Sequence, residues 1–378
     1  MAVLTEEQTM LRDAARAWVQ EKAPVAALRR ARDAGERWGY APEAFAEMAA
    51  MGWAGVVIPE AFGGSEFGYL SLGLVLEELG RTLAASPLAV SSMAAASALA
   101  RAGTEAQKAG WLPRIAAGEA VAALAVDEGP RHDPRGVALK AERTGEGWTL
   151  TGAKAFVAEG MAASLFIVAA RTSGAAGDRA GITLFLVPAD AGGLSRSPRS
   201  LADSRDWAAL DFAGVALGAE AVLGEVGDGG ALLDHTLDVA RIAVSAEMLG
   251  MSVQAFETTL DYLKTRVQFG QTIGSFQALQ HRAARMFTEL ELARSCVEAA
   301  LAAIDQDAPN LAEQAALAKA VAGDTLNLVS REMVQMHGGI GMTDAHDAGL
   351  YLKRARVLET MFGGTAWHRD RWGRMQGY

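Results

Sequence analysis

Two changes of hydrophobic period predict an α+β chain: an N-terminal helical domain over 1–119, a central β-barrel-like domain over 120–226 and a C-terminal four-helix bundle over 227–378. Apolar residues recur at helical spacing to about residue 119 and fall into short strand-like runs from about Val121. Helical spacing returns from about Asp228. The third observation is compositional: only 10 prolines, with abundant alanine, favour helix.

In chain order, Glu6 to Val19 carries Met10, Leu11, Ala14, Ala15 and Trp18 on one helical face. Pro42 to Met51 repeats the pattern behind a proline suited to a helix start. Val56-Val57-Ile58 then reads as a short extended piece, closed by Gly63-Gly64, before helix resumes over Leu70 to Arg81 and Ala89 to Ala102. The β segment is predicted at Trp148 to Gly152, Leu165 to Ala170, Ile182 to Pro188 and Leu210 to Phe212, with Gly-rich or charged turns between. The last segment is nearly all helix, interrupted at Gly338-Gly339 and Gly363-Gly364. Its long apolar faces, as from Leu311 to Leu328, suggest association into dimers or tetramers, homo- or hetero-oligomeric.

With 378 residues, 51% of them hydrophobic, the chain can bury large cores. A formal charge of −10 argues against nucleic acid as partner, since counterion displacement needs Lys and Arg. No run approaches the roughly 20 apolar residues of a membrane span. Met1 to Arg12 is acidic and amphipathic, unlike a secretory leader. The single cysteine, Cys296, excludes an intrachain disulfide framework; it reads as a small apolar helix residue, and the chain as cytoplasmic.

The motif with most chemical content runs Tyr262-Leu263-Lys264-Thr265-Arg266-Val267-Gln268-Phe269-Gly270 to Gln277. A helix ends there in cations and a glycine, and another starts after a short turn. Arg266 and Gln277 are thereby offered to an elongated anionic ligand, while Phe269 reads as a packing anchor. Gln335-Met336-His337-Gly338-Gly339 follows later. Together these strings resemble the flavin-contacting segments of the acyl-CoA dehydrogenase family. The resemblance spans essentially the whole chain, through Val57-Ile58-Pro59-Glu60, Glu77 to Arg81, Trp111 to Arg114 with Ala117-Gly118-Glu119, Lys140 to Glu142 and Gly152 to Lys154.

The resemblance implies FAD as cofactor, an acyl-CoA thioester as substrate and an electron-transfer flavoprotein as electron acceptor. A carboxylate removes the α proton while the β hydride passes to the flavin. It implies that Arg266, Gln277 and the Gln335, Gly338, Gly339 turn contact FAD across a subunit interface, that Thr365 donates to FAD, and that Phe156 lies by the ring. Arg241, in Asp238-Val239-Ala240-Arg241, matches an arginine near the CoA-bearing ligand and is read as opening the first bundle helix. An exposed helix arginine is the plain alternative.

Four departures follow. Gly363 stands where most members carry Glu in Tyr-Glu-Gly-Thr. Ala240 occupies the other known base position. The family's Thr-Glu-Pro-x-Ala-Gly-Ser aligns on Val126 to His132, replacing a hydroxyl by Val126 and a substrate-facing Ser by His132. Trp-Ile-Thr has become Phe156-Val157-Ala158. Among substitute bases, Glu247 lies about 10 Å beyond Ala240 along a helix, Glu359 reads as a solvated carboxylate, and His132 has the suitable chemistry, with a surface-loop histidine as its plain reading. His281, His337, His346 and His368 lack metal-ligand spacing. Three readings remain open: a base-less subunit of a heteromeric dehydrogenase, a standalone enzyme with an unusual base, and a flavin-free acyl-CoA-binding scaffold. Leu350 to Ala355 with His368-Arg369 resembles the branch acting on steroid and aromatic side chains.

Overall fold

The computed structural model describes residues 3–36 and 38–378. Of the N-terminal stretch read as acidic and amphipathic, Met1 and Ala2 lie outside the described residues. Contacts divide the chain into two compact units. One combines the residues up to Arg30 with Gly73–Ala84 and Arg241–Tyr378; the other combines Ala31–Leu72 with Ala85–Ala240.

The N-terminal helices are α1 (Glu6–Lys22), α2 (Val25–Ala34), α3 (Pro42–Ala50), α4 (Tyr69–Arg81), α5 (Ala96–Ala102) and α6 (Glu105–Ala116). Thr5 and Thr104 start α1 and α6 with capping boxes, each closed by a glutamine three residues on. Pro42 starts α3 at its first turn. Val56 to Ile58, expected to be extended, instead forms turns after the 3-10 helix Trp53–Gly55. Their apolar run reflects full burial, which period alone cannot tell from a strand. The helix expected from Ala89 begins as a π-helix, Leu88–Ala95, all eight residues buried.

The sheet consists of β1 (Ala122–Ala125), β2 (Lys140–Thr144), β3 (Gly147–Ala158), β4 (Leu165–Arg171), β5 (Ile182–Pro188), β6 (Leu194–Pro198), β7 (Trp207–Leu217) and β8 (Val222–Leu223). Its order is β6-β7-β3-β2-β4-β5-β8, with β1 added in parallel to β4. Most pairings are antiparallel. Inward residues from the strands share one core, including Leu150, Phe166, Phe185, Leu210 and Phe212. The long β3–β7 pairing slips register twice, and the second slip, between Lys154 and Val157, contains Phe156.

The remaining helices are α7 (Gly230–Thr265), α8 (Gln277–Asp305), α9 (Leu311–His337), α10 (Ala348–Thr360) and α11 (Thr365–Met375). Between α7 and α8 stands a small hairpin of β9 (Val267–Gln268) and β10 (Gln271–Thr272). Because α7 begins at Gly230, Arg241 lies several turns inside it and does not open it. Within the first unit, α4 and α7 touch at glycines. A Cβ on Gly80 would stand 2.2 Å from the Glu247 carbonyl oxygen, and one on Gly250 1.8 Å from that of Glu77. No helix among the described residues is long and apolar enough to cross a membrane.

Candidate active site

The turn between α10 and α11, residues 361–364, contains Gly363, which the sequence resemblance puts at the family's base position. Phe362 has φ +57° and Gly363 φ +105°, both left-handed, and only the glycine takes its value readily. Buried side chains from three helices hold the turn by its carbonyls. Arg241 Nε of α7 donates to the Phe362 oxygen at 3.0 Å, and His368 Nε2 of α11 to the same oxygen at 3.1 Å. Lys319 Nζ of α9 donates to the carbonyls of Leu358 (2.9 Å), Glu359 (3.2 Å) and Gly363 (3.1 Å). Arg241, for which an exposed position was the plain alternative, is 1% exposed, with its guanidinium 4.8 Å from the Trp367 ring centre. Its partner carbonyl lies far off in sequence, so nothing local announces the burial.

This arrangement is electropositive and apolar, with no side-chain carboxylate among the groups that grip the turn. Burial, reinforced by the Arg241 charge, lowers the Lys319 ammonium to about 7, partly opposed by Glu359. Burial and the charges of Arg241 and Lys319 lower His368 to about 2, so its ring is neutral. Its Nε2 donates, and its Nδ1 is a buried acceptor without a partner.

The three carboxyl or imidazole groups considered as substitute bases are engaged. Glu247 forms a buried bidentate pair with Arg354, both contacts at 2.9 Å. Glu359 pairs with Arg356 at 2.9 Å. His132, expected to be a surface-loop residue, has a side chain only 4% exposed; its Nδ1 lies 2.9 Å from the Asp127 carboxylate. Asp127 also accepts from the Asp133 amide at 3.1 Å. That histidine–carboxylate pair, five residues apart, was a readable local signal that the sequence reading passed over.

Arg266, Gln277 and Gln335 are exposed, and their side chains make no hydrogen bond or ion pair among the described residues. Tyr262, one turn before Arg266, stacks on His337 with ring centres 4.4 Å apart. His337 in turn stacks on His346 at 4.3 Å. The end of α7 is thus tied to the Gln335–Gly339 turn. Gly338 takes φ +65°, ψ −139°, and a Cβ on Gly338 or Gly339 would meet nothing within 4 Å. An open backbone cradle flanked by unpaired Arg and Gln side chains fits the pyrophosphate-bearing half of FAD. Phe269 is no packing anchor within the described chain: it is 91% exposed at the hairpin tip, at φ +54°, in a T-shaped pair with Phe276. The Thr365 hydroxyl lies against Gly323, 2.6 Å from where a Cβ would be.

In the other unit, Phe156 is 40% exposed at φ +47° on the β3 bulge, beside buried Val157 and Ala158. Val126, at the end of β1, is buried, and its carbonyl accepts from Lys154 Nζ at 2.9 Å. Lys154 also pairs with Glu128 at 2.7 Å. Ala240 is fully buried on α7. No cluster of three or more metal-ligating side chains occurs among the described residues. Cys296 is half-buried on α8, and burial raises its thiol.

Three family profiles match in succession: the acyl-CoA dehydrogenase N-terminal domain over residues 5–119, the middle domain over 123–215 and the C-terminal domain over 227–376. A probable acyl-CoA dehydrogenase, YngJ of Bacillus subtilis, is 31% identical over 362 residues, covering 94% of each chain. The solved butyryl-CoA dehydrogenase of Megasphaera elsdenii superposes with a TM-score of 0.93 at 28% identity, over 100% of both chains. A variant of the Tcur3481-Tcur3483 steroid ACAD superposes with a TM-score of 0.89 at 32% identity, over 98% of both chains.

Proposed function

This chain belongs to the acyl-CoA dehydrogenase family, and from that premise we propose that it is a base-less, FAD-binding subunit of a heteromeric acyl-CoA dehydrogenase in the cytoplasm. A homologous chain supplies the carboxylate, and the assembly desaturates the α,β bond of an acyl-CoA thioester. The carrying observation is the 361–364 turn: Gly363 sits at φ +105°, its own carbonyl tied to Lys319 and that of Phe362 to Arg241 and His368. Ala240, at the alternative position, is equally unable to accept a proton, and Glu247 and Glu359 are committed to arginines. The similarity to the Tcur3481-Tcur3483 steroid ACAD supports a two-chain assembly and an acyl group with a steroid nucleus.

Arg266, Gln277, Gln335, Gly338 and Gly339 hold the ADP half of FAD, and Thr365 and Phe156 contact its other half. When bound, FAD supplies the hydride acceptor, and an electron-transfer flavoprotein receives the electrons. Arg241 acts from inside the protein by fixing the turn through Phe362, and His132 faces the ligand. The domains that carry these roles span 1–119, 120–226 and 227–378.

The test is anaerobic flavin bleaching by acyl-CoA, for the chain alone and for the chain co-expressed with base-bearing homologues. General-base removal costs about 10²–10⁴-fold, so the chain alone should reduce FAD slower by that factor than the assembly. Ordinary turnover by the chain alone would overturn the reading. It would favour a standalone enzyme instead, for which the Asp127–His132 pair is the specific support: the Asp127 carboxylate, 2.9 Å from Nδ1, orients the imidazole.

A further inference from the structure

The 361–364 turn is shaped by distant helices more than by its own residues. Its internal backbone bonds are few: the Met361 amide donates to the Val357 oxygen at 3.1 Å and the Gly363 amide to the Thr360 oxygen at 3.2 Å. Two consecutive left-handed residues then turn the chain into α11, whose first residue is Thr365. Neither Phe362 nor the cap residue Gly364 offers a side-chain hydrogen bond that would enforce this path. The Lys319 ammonium reaches both sides of the turn. It takes two carbonyls from the last turn of α10 and one from Gly363.

We propose that Lys319 is the positioning residue of this turn: by joining the end of α10 to Gly363 it sets the path of the backbone into Thr365 and the first turn of α11, and so the grip of that turn on the cofactor. The inference rests on the reading of Thr365 as a FAD contact, and it concerns a residue that no part of that reading uses. Lys319 is 1% exposed, and all its hydrogen bonds go to carbonyls, so its side chain has no role toward solvent. Arg241 Nε and His368 Nε2 both donate to the Phe362 oxygen, on one side of the turn.

A pH dependence follows, with a definite sign. The charged and titratable groups facing Lys319 are Arg241 from α7, Glu359 from α10 and His368 from α11; Arg241 lowers the ammonium and Glu359 raises it. Closed and buried, Lys319 titrates near 7; an opened turn hydrates it and returns it toward the ordinary 10.5. The open form therefore binds the proton more tightly. Opening grows as pH falls from 10.5 and levels off below about 7.

Amide hydrogen exchange of the peptide covering residues 358–366, corrected for intrinsic pH dependence, reads this directly in the full-length protein. In the wild type, opening should increase as pH is lowered toward 7 and then plateau. In Lys319→Met the peptide should exchange faster by roughly tenfold, the effect of about one lost hydrogen bond, with the pH dependence gone. FAD release on dilution gives the second readout: Lys319→Met and Thr365→Val should both speed it, and Thr365→Val should leave the exchange of 358–366 unchanged. A flat wild-type pH profile overturns the inference even if Lys319→Met fails to fold. So does unchanged exchange in Lys319→Met, or faster exchange with unaltered FAD release while Thr365→Val does weaken retention. Unaltered FAD release in Thr365→Val is a different failure, that of the cofactor role assigned to Thr365.

Discussion

The 361–364 turn and the 267–272 hairpin belong to the same unit and treat their polar groups in opposite ways. The turn spends its carbonyls inward, on Arg241, Lys319 and His368, and surrounds itself with buried residues. The hairpin points Phe269 into solvent and is preceded by Arg266, whose guanidinium makes no hydrogen bond or ion pair among the described residues. Satisfied inward bonds make a region that serves its own fold, while unsatisfied exposed donors are available to a ligand or another chain. The contrast separates the two halves of the proposed site: the turn read as the place of the base is held as structure, and the edge proposed to grip the cofactor has free donors.

The largest effect that would sharpen this contrast lies behind the turn. Glu247→Ala should cost about 3–5 kcal/mol of stability in urea unfolding, because Arg354 would remain buried without its bidentate partner. A loss below 1 kcal/mol would mean that the inward network carries little of the fold. Arg266→Ala should do the reverse, leaving stability within about 0.5 kcal/mol and weakening FAD retention in the assembly by ~1.5–3 kcal/mol. Unchanged retention, with FAD demonstrably bound, would remove the hairpin from the site.

Acid should destabilise the inward region specifically. His368 titrates near 2 when folded and 6.5 when free, so the unfolded chain takes up the proton first. Stability is therefore full above 6.5 and falls as pH drops toward 2, by about 2 kcal/mol at about pH 5. His368→Phe should flatten that limb in urea titrations; an identical limb would place the titrating group elsewhere. The smallest effect is expected at Gly363. A β-carbon at φ +105° costs about 1–2 kcal/mol, so Gly363→Ala should destabilise by that much. For the same reason Gly363→Glu should not restore dehydrogenation to the chain alone, and recovered flavin bleaching would show the turn to be more adaptable than its cations suggest.

Periodicity made most of the architecture legible. The Met10 to Trp18 stripe and the run from Leu311 to Leu328 both lie in helices, and Leu165 to Ala170 and Ile182 to Pro188 pair as neighbouring strands. Short or irregular pieces escaped. Strands of two residues, as at Val267–Gln268, are too brief to show alternation, and a π-helix over Leu88–Ala95 has the same apolar content as an α-helix. In the candidate site, residue identity was readable and burial was not. Arg241 and Lys319 look like ordinary helix cations until carbonyls far along the chain close over them. His132 failed in the other direction: Asp127 was near enough in sequence to be named as its partner.

The glycine contact between α4 and α7 has a mechanical consequence. At Gly80 and Gly250 the two helices are stopped by backbone against backbone, with no side chain as a cushion. Such a contact works as a datum. Hard-core repulsion fixes the spacing, whereas salt and pH act on attractions, and rotamer changes have nothing there to move. Arg241 and Glu247 are carried on the helix that this stop locates, so their depth is referenced to an incompressible surface. One added methyl group at either glycine would act as a shim under α7, and its displacement would be read out at the Phe362 carbonyl.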